Sequence, residues 1–239
     1  MVKKGRLRKA VSWYLRGGLF HPLYFTLILL FFLIMYSSTD SELFESYLWF
    51  YTDLMFIPLI ALISSIHVVR EPEITVFELN IFKSYGAVFA GRMVSLLSAI
   101  SLAIVPLIAV LAQTGTLGSY VMPLLQRVLT YLVLVSVVFL VDSQRGALIY
   151  LVVFYFVLPF SAPIFLERIQ GELAGANFDV PLFIFMIVLF IYIIAPFTTN
   201  YVLRDLIDLM NNITVLSIGF SIVIILINYI LFSKKEFSI

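Results

Sequence analysis

The residues able to do chemistry in this chain are few, and most of the usual arrangements are missing. His21 and His67 are the only histidines and there is no cysteine. Two histidines so far apart cannot supply the H-E-x-x-H pair of an intramembrane metalloprotease, which needs both imidazoles on one helical face. No serine–histidine–aspartate arrangement can be argued. Without cysteine there is no disulfide, no thiolate metal site and no cysteine nucleophile. A G-x-x-x-x-G-K-[ST] phosphate loop is absent too: Gly86 to Arg92 lacks the Lys-Ser/Thr ending that would hold phosphate and magnesium. The remaining candidates are ionisable residues inside apolar runs, where a buried charge costs ~3 kcal/mol or more. Asp53 is the main one: it lines a water-filled outer cavity, pairs with a basic residue of a neighbouring helix, or sits close enough to the outer interface to be solvated. Arg127 and Asp142 lie near the ends of their runs, where headgroups are within reach.

These residues sit in a chain of 239, of which 62% are hydrophobic and 12% charged. Soluble domains carry about 25% charged residues, so this composition is that of an integral membrane protein. Its apolar runs reach or approach the ~20 residues that a helix needs to cross a bilayer. A single transmembrane domain, 1–239, is therefore expected, with no cleaved signal peptide.

In chain order, Lys3, Lys4, Arg6, Arg8, Lys9 and Arg16 alternate with Leu7, Val11, Tyr14 and Leu15 at helical spacing. Residues 1–20 thus predict an amphipathic interface helix with its apolar side in the headgroup boundary. Spans follow at about 21–38, 47–69, 93–113, 121–141, 147–166 and 213–232. The tight link at 142–146 makes the fourth and fifth an antiparallel hairpin. A shorter apolar run, 180–195, is stopped by Pro196 and opens a mixed element extending to 212.

Charge settles the parity of these seven runs. With 180–195 not crossing, the six N-terminal cations, Arg70, Lys83, Arg92, Arg145, Lys234 and Lys235 are cytoplasmic, and only Arg127, Arg168 and Arg204 are outside. A seven-span arrangement would put Lys234 and Lys235 outside, against the positive-inside rule. The expected fold is all-α: six transmembrane helices, the N-terminal interface helix, a cytoplasmic helix and an outer re-entrant or surface apolar element at 180–212. Both termini are expected in the cytoplasm.

The longest polar interruption, 70–92, carries Ile74, Phe77, Ile81, Tyr85 and Val88 at three- and four-residue steps, with Glu73, Asn80, Lys83 and Ala87 on the other side. That is the spacing of a surface helix. Arg70, Glu71, Thr75 and Glu78, closing on Gly91 and Arg92, fall nearly where permeases of the ABC-2 class of ATP-binding-cassette transporters carry R-E-x-x-G-T-hydrophobic-E-hydrophobic and Gly-Lys. Ile74 replaces the family's glycine, and Phe82, Lys83, Ser84 and Tyr85 replace its Pro-Val-Ser-Arg turn. The ending Leu231 to Phe237 also resembles the family's last helix. The chain thus resembles an ABC-2 type permease with the type V exporter fold, over nearly its whole length in topology and in the loop and tail by residue.

The resemblance implies a multi-pass plasma-membrane exporter subunit that pairs with a second permease, identical or homologous, and with separate ABC ATPase subunits. ATP and magnesium would be bound by those subunits, and no cofactor by this chain, which is no enzyme itself. Residues 70–92 become a coupling helix: Arg70, Glu71, Glu73, Thr75, Phe77, Glu78, Ile81 and Lys83 are its candidate contacts, with the acids and Lys83 setting register. Asp53, Ser64, Ser65, Tyr150 and Tyr155 become candidates for the substrate pathway, although such serines equally permit close helix packing. The 23 phenylalanines and 13 tyrosines suit an amphiphilic cargo and lipid contact alike and assign no substrate. Lipid is the expected surroundings and nucleic acid is not a partner. The competing reading is a membrane scaffold or assembly factor that uses the same helix to recruit a soluble protein without transport.

Overall fold

The computed structural model describes residues 4–18, 22–37, 39, 44–69, 72–141, 143–174 and 182–235, and among them there is no strand. A helix is what an apolar run must form in lipid, because it satisfies every backbone group within the segment. The chain enters through α1 (Lys4–Gly18) and α2 (Pro22–Ser37). A rod follows, made of α3 (Phe44–Trp49), a π-helical turn Phe50–Met55 and α4 (Phe56–Val68). Beyond it come α5 (Pro72–Phe82), α6 (Tyr85–Gln113) and α7 (Leu117–Val138). A second rod joins α8 (Gln144–Val152), the π turn Val153–Val157 and α9 (Leu158–Ala174). The last elements are α10 (Leu182–Ile194), α11 (Pro196–Val202) and α12 (Ile207–Lys234).

Among the described residues, five stretches are long and apolar enough to cross a membrane: Tyr47–Ile66, Tyr85–Gln113, Leu117–Val138, Gln144–Gly171 and Leu209–Lys234. Phe25–Ser37 and Leu182–Ile194 are shorter apolar helices. The architecture is that of an all-α, multi-pass membrane protein.

The core gathers around α6, which packs against α1, α2, α4, α5, α7 and α12. Alongside it, α7 and α12 run parallel and are stitched by polar side chains. Gln126 bonds Ser217 and Ser221 at 3.1 Å each, Asn228 donates to Ser136 at 2.8 Å, and the Lys235 ammonium donates to the Leu140 carbonyl at 2.7 Å. Such bonds need no water and are available wherever small hydroxyl residues let two helices approach.

One end of the bundle collects α1, α5, the start of α6 and the ends of α7 and α12. Arg6 donates to the Lys83 carbonyl at 3.1 Å, and Phe89 meets both Phe139 and Phe232. Toward the other end, α10 and α11 form a hairpin that turns at Ala195. Its turn lies against the middle of α7, where Ile194 meets Arg127, and α11 then runs back toward the α7 N-terminus, where Phe197 stacks on Tyr120 at 5.7 Å. Pro196 opens α11, where its missing N–H costs nothing, so the proline that stops α10 also starts the return.

Several sequence expectations change here. The third apolar helix begins at Tyr85 rather than near residue 93, so Arg92 lies within α6. The fourth begins at Leu117, which places Arg127 at its middle and not near an end. Ala10 and Tyr14 of α1 are buried where the helix packs on α6. The link after α7 is as short as expected, but contact with the second rod is concentrated at α8, and farther along the two are bridged by the Tyr131 and Tyr155 rings at 5.0 Å.

Candidate functional site

The surface helix proves to be two elements. Residues 72–82 form α5, and the chain then turns at Lys83, whose φ of 48° is the left-handed conformation that non-glycine residues seldom adopt. Ser84 caps the next helix by accepting from the Ala87 N–H at 3.2 Å.

The polar residues of α5 divide between two faces. Thr75 and Glu78 are buried against α6, where Arg92 Nη2 donates to Thr75 Oγ1 at 2.9 Å and to Glu78 Oε2 at 2.5 Å. They hold the helix to its own bundle and are not offered to a partner, which corrects the expectation that Glu78 sets register there. Ile74, Phe77, Ile81 and Tyr85 form the outward stripe, flanked by exposed Glu73, Asn80 and Lys83. Phe77 is the most open of the four, at 57%. The periodicity therefore identified the stripe but not its length, because Val88 is buried in α6, as is Ala87 of the expected opposite side.

This junction also holds the N-terminal helix. Gly91 lets α1 approach so closely that a Cβ there would stand 2.8 Å from the Tyr14 ring and 3.1 Å from the Ala10 Cβ. Ser95 donates to the Tyr14 carbonyl at 3.2 Å, and Phe82 packs against Trp13 and Tyr14. Burial pushes the Tyr14 phenol well above its ordinary pKa, with Arg92 opposing and Glu78 adding to the rise. The phenol stays neutral beside the ion pair. Thus α1, α5 and the first turns of α6 make one braced unit, with a charged pair inside and an apolar stripe outside.

The second cluster lies deeper in the bundle. Asp53, in the π turn of the first rod, pairs with Arg127, its Oδ1 3.4 Å from Nε. Asp53 Oδ2 accepts from the Thr198 N–H at 2.7 Å and from the Thr198 hydroxyl at 3.0 Å, capping the start of α11. Arg127 donates to the Asp53 carbonyl at 2.9 Å and to the Ile194 carbonyl, while Thr130 donates to the Ile193 carbonyl. The loose carbonyls at the end of α10 and the loose N–H at the start of α11 are thereby satisfied by the same pair of helices. Of the three environments open to Asp53 from sequence, the structure selects the ion pair.

Among the pathway candidates, Ser65 bonds the Tyr155 hydroxyl at 3.0 Å and Ser64 returns its hydroxyl to the Ile60 carbonyl at 2.8 Å. Asp53, Ser64, Ser65 and Tyr155 are all enclosed within the chain, and Tyr150, half-buried, packs on Phe154. They serve as internal polar contacts rather than as the lining of an open channel in this single chain. Arg70, Glu71, His21 and Asp142 lie outside the described residues. Sequence reading placed Arg127 near the end of its run and missed Thr198, Tyr14 and Gly91 as site residues; Gly91 and Arg92 stood in the quoted motif, but no signal there pointed to α1.

The known proteins add no further constraint: no family model, curated protein or solved structure matches this chain.

Proposed function

We propose that this chain is a permease subunit of an ATP-driven transporter of the ABC-2 type, acting as an exporter. The observation that carries the reading is the braced unit at one end of the bundle. An ATPase cannot push on spans buried in lipid, so its movement must pass through a cytoplasmic element joined rigidly to them. The α5 helix has that form: the Glu78–Arg92 pair ties it to the first turns of the long helix α6, and its exposed Ile74, Phe77 and Ile81 face away from the bundle.

In this reading the end that bears Arg6, Lys83, Arg92, Lys234 and Lys235 faces the cytoplasm, as the positive-inside rule requires. The α10–α11 hairpin enters from the outer side and returns, leaving six crossings. The outward stripe docks in a partner's cleft, with Phe77 as the anchor, and Glu73 and Lys83 keep the register role that was shared with Glu71 and Glu78. ATP and magnesium are handled by that partner, and a second permease subunit completes the pathway in the plasma membrane.

The experiment is purification of the tagged, full-length chain from its native membranes. An ABC ATPase subunit should co-elute stoichiometrically with the wild-type chain and be lost from the Phe77→Glu variant. Recovery of a soluble partner that hydrolyses no nucleotide would replace the permease by a scaffold.

A further inference from the structure

At the deeper ion pair the hydrogen bonds leave three buried polar atoms over. Asp53 Oδ2 takes both bonds from Thr198, and Arg127 turns its two terminal nitrogens to the carbonyls of Asp53 and Ile194. The fork of the guanidinium is therefore spent on backbone and does not close on the carboxylate. Asp53 Oδ1 and Arg127 Nε face each other at 3.4 Å, in ion-pair contact, and neither has a hydrogen-bond partner. Tyr131, whose ring lies under the guanidinium at 4.5 Å, has an unpartnered hydroxyl as well. All three residues are enclosed.

We propose that Asp53 Oδ1, Arg127 Nε and Tyr131 Oη hold an ordered water inside the bundle. The donor set selects that ligand. Nε–H only donates and an ionised carboxylate only accepts, so whatever joins them must accept and donate at once. A bound anion would be repelled by Asp53 and a metal cation by Arg127. Water meets both demands, and a buried water needs two to four polar partners; Asp53 Oδ1, Arg127 Nε and Tyr131 Oη are three buried polar atoms without one.

The backbone around the site is irregular in a way that suits it. Asp53 lies in one π turn, Tyr155, which packs on Tyr131, lies in the other, and the two π turns touch. Beside them α10 ends and α11 begins. A π turn displaces the residues around it from close helical packing, and such turns recur at functional sites. A hydrated pair also differs mechanically from a dry one: the water follows either charge when the helices shift, so neither is stripped of partners. The inference is independent of the permease reading, since it rests on the intramembrane cluster alone.

The test is hydroxyl-radical footprinting by X-ray radiolysis of the full-length protein in lipid nanodiscs, read by mass spectrometry, because side chains next to internal water are oxidised even when bulk solvent cannot reach them. Tyr155 and Tyr192 are internal controls: both are as buried as Tyr131, but their hydroxyls bond Ser65 and Thr214. Tyr131 should be modified several-fold faster than either, because its hydroxyl is the one that the water would partner. Equal rates at the three tyrosines, whether low or high, would overturn the proposal. In the Asp53→Leu/Arg127→Leu double variant the Tyr131 rate should fall to that of the controls. Persistence of fast Tyr131 labelling in that variant would show that the pair does not hold the water.

Discussion

Glu78 and Arg92 meet at 2.5 Å, both enclosed, and their contact fastens the surface helix α5 to the long helix α6. Removing one partner strands the other charge in a buried site, which costs about 3–5 kcal/mol, whereas replacing both by apolar residues of similar volume is often neutral. Glu78→Ala should therefore lower the thermal midpoint in detergent strongly. The Glu78→Leu/Arg92→Met double variant should recover most of that loss. Equal losses in the single and double variants would mean that the pair is not what fastens α5.

Gly91 provides a separate test of the same junction. A methyl group at this position meets the Tyr14 ring at 2.8 Å, inside any normal contact distance. Gly91→Ala should force α1 away from α6 at an overpacking cost of about 1–3 kcal/mol. Limited trypsin digestion, reading cleavage after Arg6, Arg8 and Lys9, should be faster in the variant while α6 and α7 stay protected. Unchanged cleavage would show that α1 is not held by this contact.

A double-mutant cycle on Asp53 and Arg127 should give a large coupling. Each single change to alanine leaves a buried charge or unsatisfied helix ends, so each should cost about 3–5 kcal/mol, and the double variant much less than their sum. Additive losses, measured by denaturant unfolding in micelles, would argue that the carboxylate and guanidinium act independently through Thr198 and the α10 carbonyls.

The polar ladder between α7 and α12 should be modest in strength. Asn228→Ala removes one bond, to Ser136, and interhelical bonds of this kind average about 0.6 kcal/mol in membranes, with model peptides at about 1–2 kcal/mol. A loss several times larger would mean that Asn228 has a role beyond this contact.

Topology can be read directly because the chain has no cysteine of its own. Asn80→Cys on α5 and Asn211→Cys near the start of α12 are both exposed positions. In sealed vesicles of known orientation, an impermeant thiol reagent should reach Asn80→Cys from the cytoplasmic side only and Asn211→Cys from the outside only. Labelling of both from one side would defeat the six-crossing arrangement.

Element types were legible in the sequence because long apolar runs in lipid have no alternative to helix, and Pro196 announced the break after Ile194. The π turns at 50–55 and 153–157 left no mark, since a π turn is one residue inserted into a helical pattern. Arg127 was misplaced because the apolar run seemed to start at Val121; the helix starts four residues earlier, at Leu117. The α5 site was legible in part. Three- and four-residue spacing shows that Ile74, Phe77 and Ile81 share a face, but it does not say whether that face or the opposite one meets the bundle. Thr75 and Glu78, one turn apart, were the buried pair, and only Arg92, fourteen residues on from Glu78, explains why.

The measurement that bears most directly on the permease account is ATP hydrolysis by the complex purified from native membranes and reconstituted in nanodiscs. Vanadate-sensitive hydrolysis should accompany the wild-type chain and fall about tenfold or more in Phe77→Ala, the loss of about 1.4 kcal/mol or more expected for truncating an aromatic anchor at an interface. The thermal midpoint of the chain itself should be unchanged, because Phe77 is exposed. Wild-type chain without associated hydrolysis, or full hydrolysis with Phe77→Ala, would contradict it.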